Sequence, residues 1–176
     1  GYLDQGGKGI IQASLDTGAF SQFGLPGGMV GDSLPAAIGP ALDGSYGQVA
    51  QSDSPGAAVL QEMGKANDPA YDATSPYTPE SYDAAALIML AMEASGSTDS
   101  NVYKEKIMEI ANGPADGSGV KILPGELGKA LELIAAGTAI DYDGASGVML
   151  IGPGESAGRY KQFEVKGGKY ETVQFR

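Results

Sequence analysis

Ser75-Pro76-Tyr77-Thr78-Pro79-Glu80-Ser81-Tyr82-Asp83-Ala84-Ala85-Ala86-Leu87-Ile88-Met89-Leu90-Ala91-Met92-Glu93-Ala94-Ser95-Gly96 is the stretch that decides the fold. Thr78-Pro79-Glu80 reads as a helix start. A capping hydroxyl precedes proline at the first helical position, and a carboxylate sits near the positive end of the dipole. The segment then runs apolar almost all round to Ser95 and stops at Gly96. Such a helix is buried on most sides. Its most apolar part, Ala84–Ala94, contains Glu93 and is about half of the roughly 20 residues that a bilayer span needs. It is a core helix, and it needs a sheet or other helices to cover.

Further helices flank it. Ser54-Pro55 repeats the start signal upstream. Downstream, Ser100 caps a helix with Tyr103, Ile107, Ile110 and Ala111 on one face, ended by Gly113-Pro114. Glu126–Ala136 carries Leu127, Ala130, Leu131 and Ile134 at helical spacing, closed by Gly137. From Ser54 to Gly137 the pattern gives four helices and no convincing strand. Before them, Asp4 is expected to cap a helix over Gln5–Thr17, with Ile10, Ile11 and Leu15 as its apolar stripe and Gly18 at the left-handed end position. A strand over Phe20–Leu25, a loop at Pro26-Gly27-Gly28, a short helix from Asp32-Ser33 to about Gly39-Pro40 and a strand over Tyr46–Ala50 follow. After the helices, Val148–Ile151 reads as a strand. Tyr160–Val165 and Tyr170–Phe175 flank Lys166-Gly167-Gly168-Lys169, a hairpin signal. The layout is α/β, with a helix-rich middle that calls for a sheet from elsewhere.

Composition removes several functions. The 176 residues carry a net charge of −11 and a pI near 4.2. A surface this acidic repels phosphate backbones and anionic headgroups, so no nucleic-acid partner is expected. Histidine and cysteine are both absent. Ser-His-Asp and Cys-His nucleophile systems and His- or thiolate-based zinc sites are thereby excluded. Ser118-Gly119-Val120-Lys121 has the spacing of an acyl-transfer Ser-x-x-Lys, but it lies in flexible Gly117-Ser118-Gly119 and not at a helix start. Asp141-Tyr142-Asp143-Gly144 fails as a calcium loop, because the position that needs glutamate is Gly152. The carboxylate pairs Asp68/Asp72 and Asp141/Asp143 lie in polar, loop-like sequence. Gly24–Gly28 and Gly152-Pro153-Gly154 lack the lysine and hydroxyl of a phosphate loop. A non-enzyme without cofactor or metal is expected.

Five segments in order resemble the branched-chain amino-acid-binding branch of type I periplasmic solute-binding proteins. They are Gly1-Tyr2-Leu3-Asp4-Gln5-Gly6-Gly7-Lys8 with Gln12-Ala13 and Gly18; Phe23 with Gly27-Gly28 and Gly31-Asp32-Ser33-Leu34; Ser75-Pro76-Tyr77 with Tyr82-Asp83-Ala84-Ala85-Ala86-Leu87; Ile140-Asp141-Tyr142-Asp143-Gly144-Ala145-Ser146-Gly147; and Phe163-Glu164-Val165-Lys166-Gly167-Gly168-Lys169. The resemblance implies a two-lobed, three-layer α/β/α fold of which the C-terminal half is present. Residues 1–50 and 159–176 would belong to the C-terminal lobe and residues 51–158 to the N-terminal lobe. It implies a periplasmic component of an ABC importer that closes on a branched-chain amino acid or a related small polar, amide or carboxylate molecule by hinge motion. Its partners would be that ligand, the permease subunits and the missing N-terminal half, without which binding should be weak. The same fold as a ligand-sensing domain of a receptor or regulator is the alternative. The chain ends at Phe175-Arg176 soon after the hairpin, which is expected to favour the transport role.

By the same resemblance, Tyr2 and Leu3 follow a strand at the ligand, Tyr77 precedes the Tyr-Asp-Ala helix at the ligand, and Gly27 and Gly28 form a ligand loop. Tyr82 is placed in the core. The pattern departs at Pro26-Gly27-Gly28, where amino-acid-binding members commonly carry an acidic residue for the ligand's ammonium group. Glycine allows close backbone approach but brings no charge. An amide, a carboxylate or an aromatic acid is therefore an alternative ligand, unless Asp32 or Asp4 substitutes.

Overall fold

A computed structural model describes residues 2–176 of the chain. In chain order the elements are α1 (Lys8–Asp16), β1 (Gly24–Leu25), α2 (Ser33–Ile38), β2 (Tyr46–Ala50), α3 (Pro55–Asn67), α4 (Thr78–Ser95), α5 (Ser100–Asn112), β3 (Val120–Ile122), α6 (Leu127–Ala135), β4 (Ile140–Tyr142), β5 (Leu150–Gly152), β6 (Glu155–Ser156), β7 (Tyr160–Lys166) and β8 (Lys169–Phe175). They form two compact units. One holds residues 2–50 with Arg159–Arg176, the other Gln51–Gly158.

The first unit is a four-stranded sheet in the order β1-β2-β7-β8. β1 runs parallel to β2, and the other two pairs are antiparallel. Side chains alternate across a strand, so Phe163 and Val165 of β7 face one way. They are fully buried with Ile11, Leu25, Met29, Leu34 and Leu42, so α1 and α2 cover that face. Tyr170 meets Phe163 edge to face, with centroids 5.0 Å apart. Gly47 is required where β1 and β2 meet, since a Cβ there would overlap the Leu25 carbonyl and the Phe163 ring. The hairpin signal is realised between β7 and β8. Gly167 and Gly168 both take positive φ, as a two-residue turn of this hand demands. Their N–H groups donate to the two carboxylate oxygens of Asp43, both at 2.9 Å.

The second unit packs α4, α5 and α6 around Ala86, Leu87, Leu90, Ala91, Ile110, Ala111, Ile122, Ala130, Ile140 and Tyr142. β3 and β4 pair in parallel through α6, and β5 and β6 form a short hairpin. Asn112 fastens that hairpin. Its amide donates to the Leu150 carbonyl at 2.7 Å and accepts from the Leu150 N–H at 2.9 Å.

Several expectations need correction. The first helix does not begin at Gln5. Gln5 and Gly6 leave helical geometry, Gly6 with φ 89°, so helix starts only at Lys8. Asp4 makes no cap and instead pairs with Lys8 at 3.1 Å. The strand over Phe20–Leu25 shrinks to Gly24–Leu25. Asp99, not Ser100, caps α5, accepting from the Asn101 N–H at 2.9 Å. The middle does hold strands: β3 lies within it and β4 just beyond, where the carboxylates Asp141 and Asp143 read as loop-like sequence. Three-residue strands are too short to set up a period in the sequence. Finally, α4 is not buried on most sides, for Ala84, Ala85, Ile88 and Met89 form an exposed stripe, Met89 at 49%. Among the described residues no helix is long and apolar enough to cross a membrane.

Candidate functional site

Two groups of candidate ligand contacts stand in different units. In the first unit, Tyr2 is extended, with φ −121° and ψ 143°. Its carbonyl accepts from the Gln5 and Gly7 N–H groups at 3.2 and 3.0 Å. This turn fixes Tyr2 ahead of α1 and leaves the residue 66% exposed. Leu3 points the other way, onto the core formed with Ile11, Leu25 and Met29. Gly27 and Gly28 lie in a 3-10 turn, Gly27–Met29, closed by the Met29 N–H on the Pro26 carbonyl at 2.7 Å. The two turns pack together over glycine. A Cβ on Gly7 would strike the Met29 sulfur, and one on Gly31 would strike Leu3. The structure thus brings Tyr2, Leu3, Gly27 and Gly28 into one corner at the end of β1.

Tyr77 belongs to the second unit. It holds left-handed backbone, φ 67° and ψ 3°, and no other non-glycine residue among those described has positive φ. A bulky side chain in that region is an outlier. The helix start holds it there: the Tyr77 carbonyl accepts from the Ser81 N–H at 2.9 Å and the Ser81 hydroxyl at 2.7 Å. Thr78 is the first helical residue, so it does not cap α4; Tyr77 occupies the cap position and bonds no backbone N–H with its side chain. Its side chain is 54% exposed.

The same unit holds a buried polar cluster. Asp83 is 2% exposed. Its carboxylate accepts from the Tyr142 hydroxyl at 2.9 Å, the Ala145 and Ser146 N–H groups at 2.7 Å each, and the Ser146 hydroxyl at 2.6 Å. Burial and the Asp83 charge push the Tyr142 phenol far above its ordinary value, so it stays a donor. Ser54 and Ser52 hold the same turn from the other side, donating to the Ala145 carbonyl at 2.6 Å and the Ser146 carbonyl at 2.8 Å. Gly144 must be glycine, since a Cβ would overlap Asp83, and Gly56 approaches the Gly144 carbonyl just as closely. Tyr82 is half-buried beside Leu60, Ala73 and Ala145, and its hydroxyl accepts from the Gly125 N–H at 3.1 Å.

Two buried acceptor atoms of this unit have no hydrogen-bond partner: Glu80 Oε2 and Gln51 Oε1. Burial, chiefly, raises the Glu80 carboxyl above its usual range, with the Asp83 charge adding to it. Sequence reasoning treats Glu80 only as a favourable charge at a helix start and passes over Gln51. Asp83 carries one signal, a carboxylate inside an apolar helix. The remaining motifs are structural. Asp72 binds the Thr74 N–H and hydroxyl at 2.9 and 2.6 Å, which holds its carboxyl below the ordinary range. Lys121 lies on β3 beside Asp141 and Asp143, at 4.0 and 3.4 Å, and Ser118 is exposed in the preceding loop. Among the described residues no cluster of three metal-ligating side chains occurs.

Comparison with solved structures bears on this arrangement. A leucine-binding protein, LivK, of Thermotoga maritima superposes on 99% of the chain with a TM-score of 0.65 at 18% identity. The fold is that of type I periplasmic binding proteins. A type 1 periplasmic binding protein of Bordetella pertussis agrees over 94% of the chain, with a TM-score of 0.52 at 17% identity. The chain spans 42% and 43% of those two proteins. In sequence, 78 residues are 38% identical to the chemotactic signal transduction system substrate-binding protein BasB of Halobacterium salinarum, covering 43% of this chain and 18% of that protein. No protein-family model matches the chain.

Proposed function

We propose that this chain is part of an extracytoplasmic solute-binding protein that holds a small molecule without covalent chemistry and delivers it to the permease of an ABC importer. The observation that carries the reading is Tyr77. An exposed aromatic in left-handed backbone, clamped by Ser81, stores strain that a fold has reason to keep at a ligand contact. Tyr supplies apolar area and a hydroxyl for orientation. Tyr2, Gly27 and Gly28 are proposed as contacts from the first unit. The likeness to a leucine-binding protein and the absence of histidine and cysteine support binding over catalysis. The ligand is proposed to be a branched-chain amino acid or a related small polar, amide or carboxylate compound.

The stretch shared with a chemotactic substrate-binding protein favours a second reading, in which the bound form is presented to a signalling receptor. Thermal melting of the protein at its natural length, against amino acids, amides and aromatic or short-chain acids, tests the common part. A true ligand at about 100 times its dissociation constant should add about 2.7 kcal/mol, and Tyr77→Ala should remove most of that shift. No shift with any compound would count against solute binding. Ligand-dependent capture of permease subunits, or of a receptor, then separates the two readings.

A further inference from the structure

Asn112-Gly113 is the one Asn-Gly pair in the sequence. Asparagine is among the chemically labile side chains, and a following glycine brings no Cβ to shield the backbone nitrogen that attacks its amide. The other asparagines precede larger residues, Asn67 before Asp68 and Asn101 before Val102. Asp43, Asp116 and Asp143 also precede glycine, but there the attacking nitrogen is engaged. The N–H groups of Gly44, Gly117 and Gly144 donate to the carbonyls of Val165, Pro114 and Ile122 at 2.9, 2.9 and 3.2 Å. The Gly113 N–H donates to no acceptor among the described residues. In this it differs from Gly96 at the end of α4, whose N–H donates to the Glu93 carbonyl.

Both residues are fixed by the fold. Gly113 has φ 62°, and a Cβ on it would strike the Asp141 side chain. Asn112 holds the β5–β6 hairpin, donating to the Leu150 carbonyl at 2.7 Å and accepting from the Leu150 N–H at 2.9 Å. These two bonds keep the amide on Leu150, so the Gly113 nitrogen meets it when the hairpin lets go. Strands of three and two residues open locally far more often than a whole domain unfolds. Asn112 is exposed, so water reaches it.

We propose that Asn112 is a deamidation site whose reaction releases the β5–β6 hairpin in one direction. The Gly113 nitrogen bonds to Asn112 Cγ as the C–N bond of the side-chain amide breaks. The proton from the Gly113 nitrogen leaves with the amide nitrogen as ammonia. Water then opens the succinimide to aspartate or isoaspartate, and no oxidant or reductant takes part. The new carboxylate still accepts from the Leu150 N–H. It has no proton for the Leu150 carbonyl, so two acceptors face each other where a hydrogen bond stood. Isoaspartate also adds a methylene to the main chain at the end of α5. Either product adds one negative charge to a chain already at −11.

The test is incubation of the protein at its natural length at mildly alkaline pH, folded and in urea, followed by peptide mapping with an isoaspartate-specific methyltransferase. Over the time in which the denatured chain converts, roughly a tenth or more of Asn112 in the folded protein should convert, through local opening. Asn67 and Asn101 should stay intact in the folded protein, and Asn112→Gln should remove the conversion. The converted fraction, separated by charge, should exchange amide hydrogens at residues 149–157 about tenfold faster than the unconverted one. Asn112→Asp should show the same increase without incubation. Conversion of Asn67 or Asn101 ahead of Asn112, or an Asn112 that reacts only in urea, overturns the site. Unchanged exchange at residues 149–157 in both the converted fraction and Asn112→Asp overturns the release of the hairpin.

Discussion

Asp83 and Glu80 lie on one helix, one turn apart, and their environments drive them to opposite behaviour. Asp83 is satisfied by four donors at 2.6–2.9 Å. Removing it strands the Tyr142 and Ser146 hydroxyls and two backbone N–H groups in a dry interior. Each stranded donor costs about 1–3 kcal/mol, so Asp83→Ala should lower stability by at least ~3 kcal/mol in chemical denaturation. A loss under about 1 kcal/mol would mean that the 144–146 turn is held by Ser52 and Ser54 alone. Glu80 has one oxygen with no donor, and burial raises its folded-state carboxyl above the unfolded value of 4.5. The folded state therefore binds the proton more tightly than the unfolded state does. Stability contributed by the protonated group is present below the unfolded value and is lost as pH rises through the folded one. In the ligand-free protein, Glu80→Gln should flatten the fall in stability on the alkaline side of pH 4.5. Unchanged pH profiles in the two proteins would show that Glu80 is solvated.

The element that depends most on a single side chain is the β5–β6 hairpin. Its two strands have three and two residues, too few for independent stability. Asn112 at the end of α5 acts as a substitute strand, giving and taking one hydrogen bond with Leu150. Asn112→Ala should increase amide exchange at residues 149–157 by about tenfold while α4 and α5 stay protected, as measured by hydrogen exchange. Equal exchange in both proteins would show that Leu150, packed on the core, suffices. This hairpin also marks what the sequence makes legible. Signals confined to two or three adjacent residues read correctly: Ser54-Pro55 opens α3, Gly96 closes α4 with φ 63°, and Gly167-Gly168 turns β7 into β8. Features that depend on partners far along the chain do not. β3 exists because Val120–Ile122 meets Ile140–Tyr142, and β5 because Asn112 waits 38 residues away. The candidate site divides in the same way. Tyr77 enters only through the family resemblance of Ser75-Pro76-Tyr77, and its left-handed backbone and the orphan oxygens of Glu80 and Gln51 follow only from packing.

At the scale of the molecule the dominant quantity is charge. A net charge of −11 repels itself in any compact state. The ion pairs that oppose this repulsion, such as Lys8–Asp4, Lys106–Glu109, Lys129–Glu126 and Lys166–Glu164, are surface pairs between partly or largely exposed side chains. Solvent screening leaves each of them only a small contribution. Salt screens attraction and repulsion alike, and its net effect follows whichever is larger. Here repulsion is larger, because acidic residues number 22 against 11 basic ones. Raising ionic strength from about 0.01 to 1 M shortens the screening length from roughly 30 to 3 Å. The midpoint of thermal unfolding at neutral pH should therefore rise with sodium chloride. A rise alone would also follow from salting-out of apolar surface, so the decisive comparison is pH. Near the pI of about 4.2 the net charge vanishes and only the local pairs remain to be screened. There the rise should disappear or reverse. An equal rise at both pH values would assign the effect to apolar surface and not to the acidic charge.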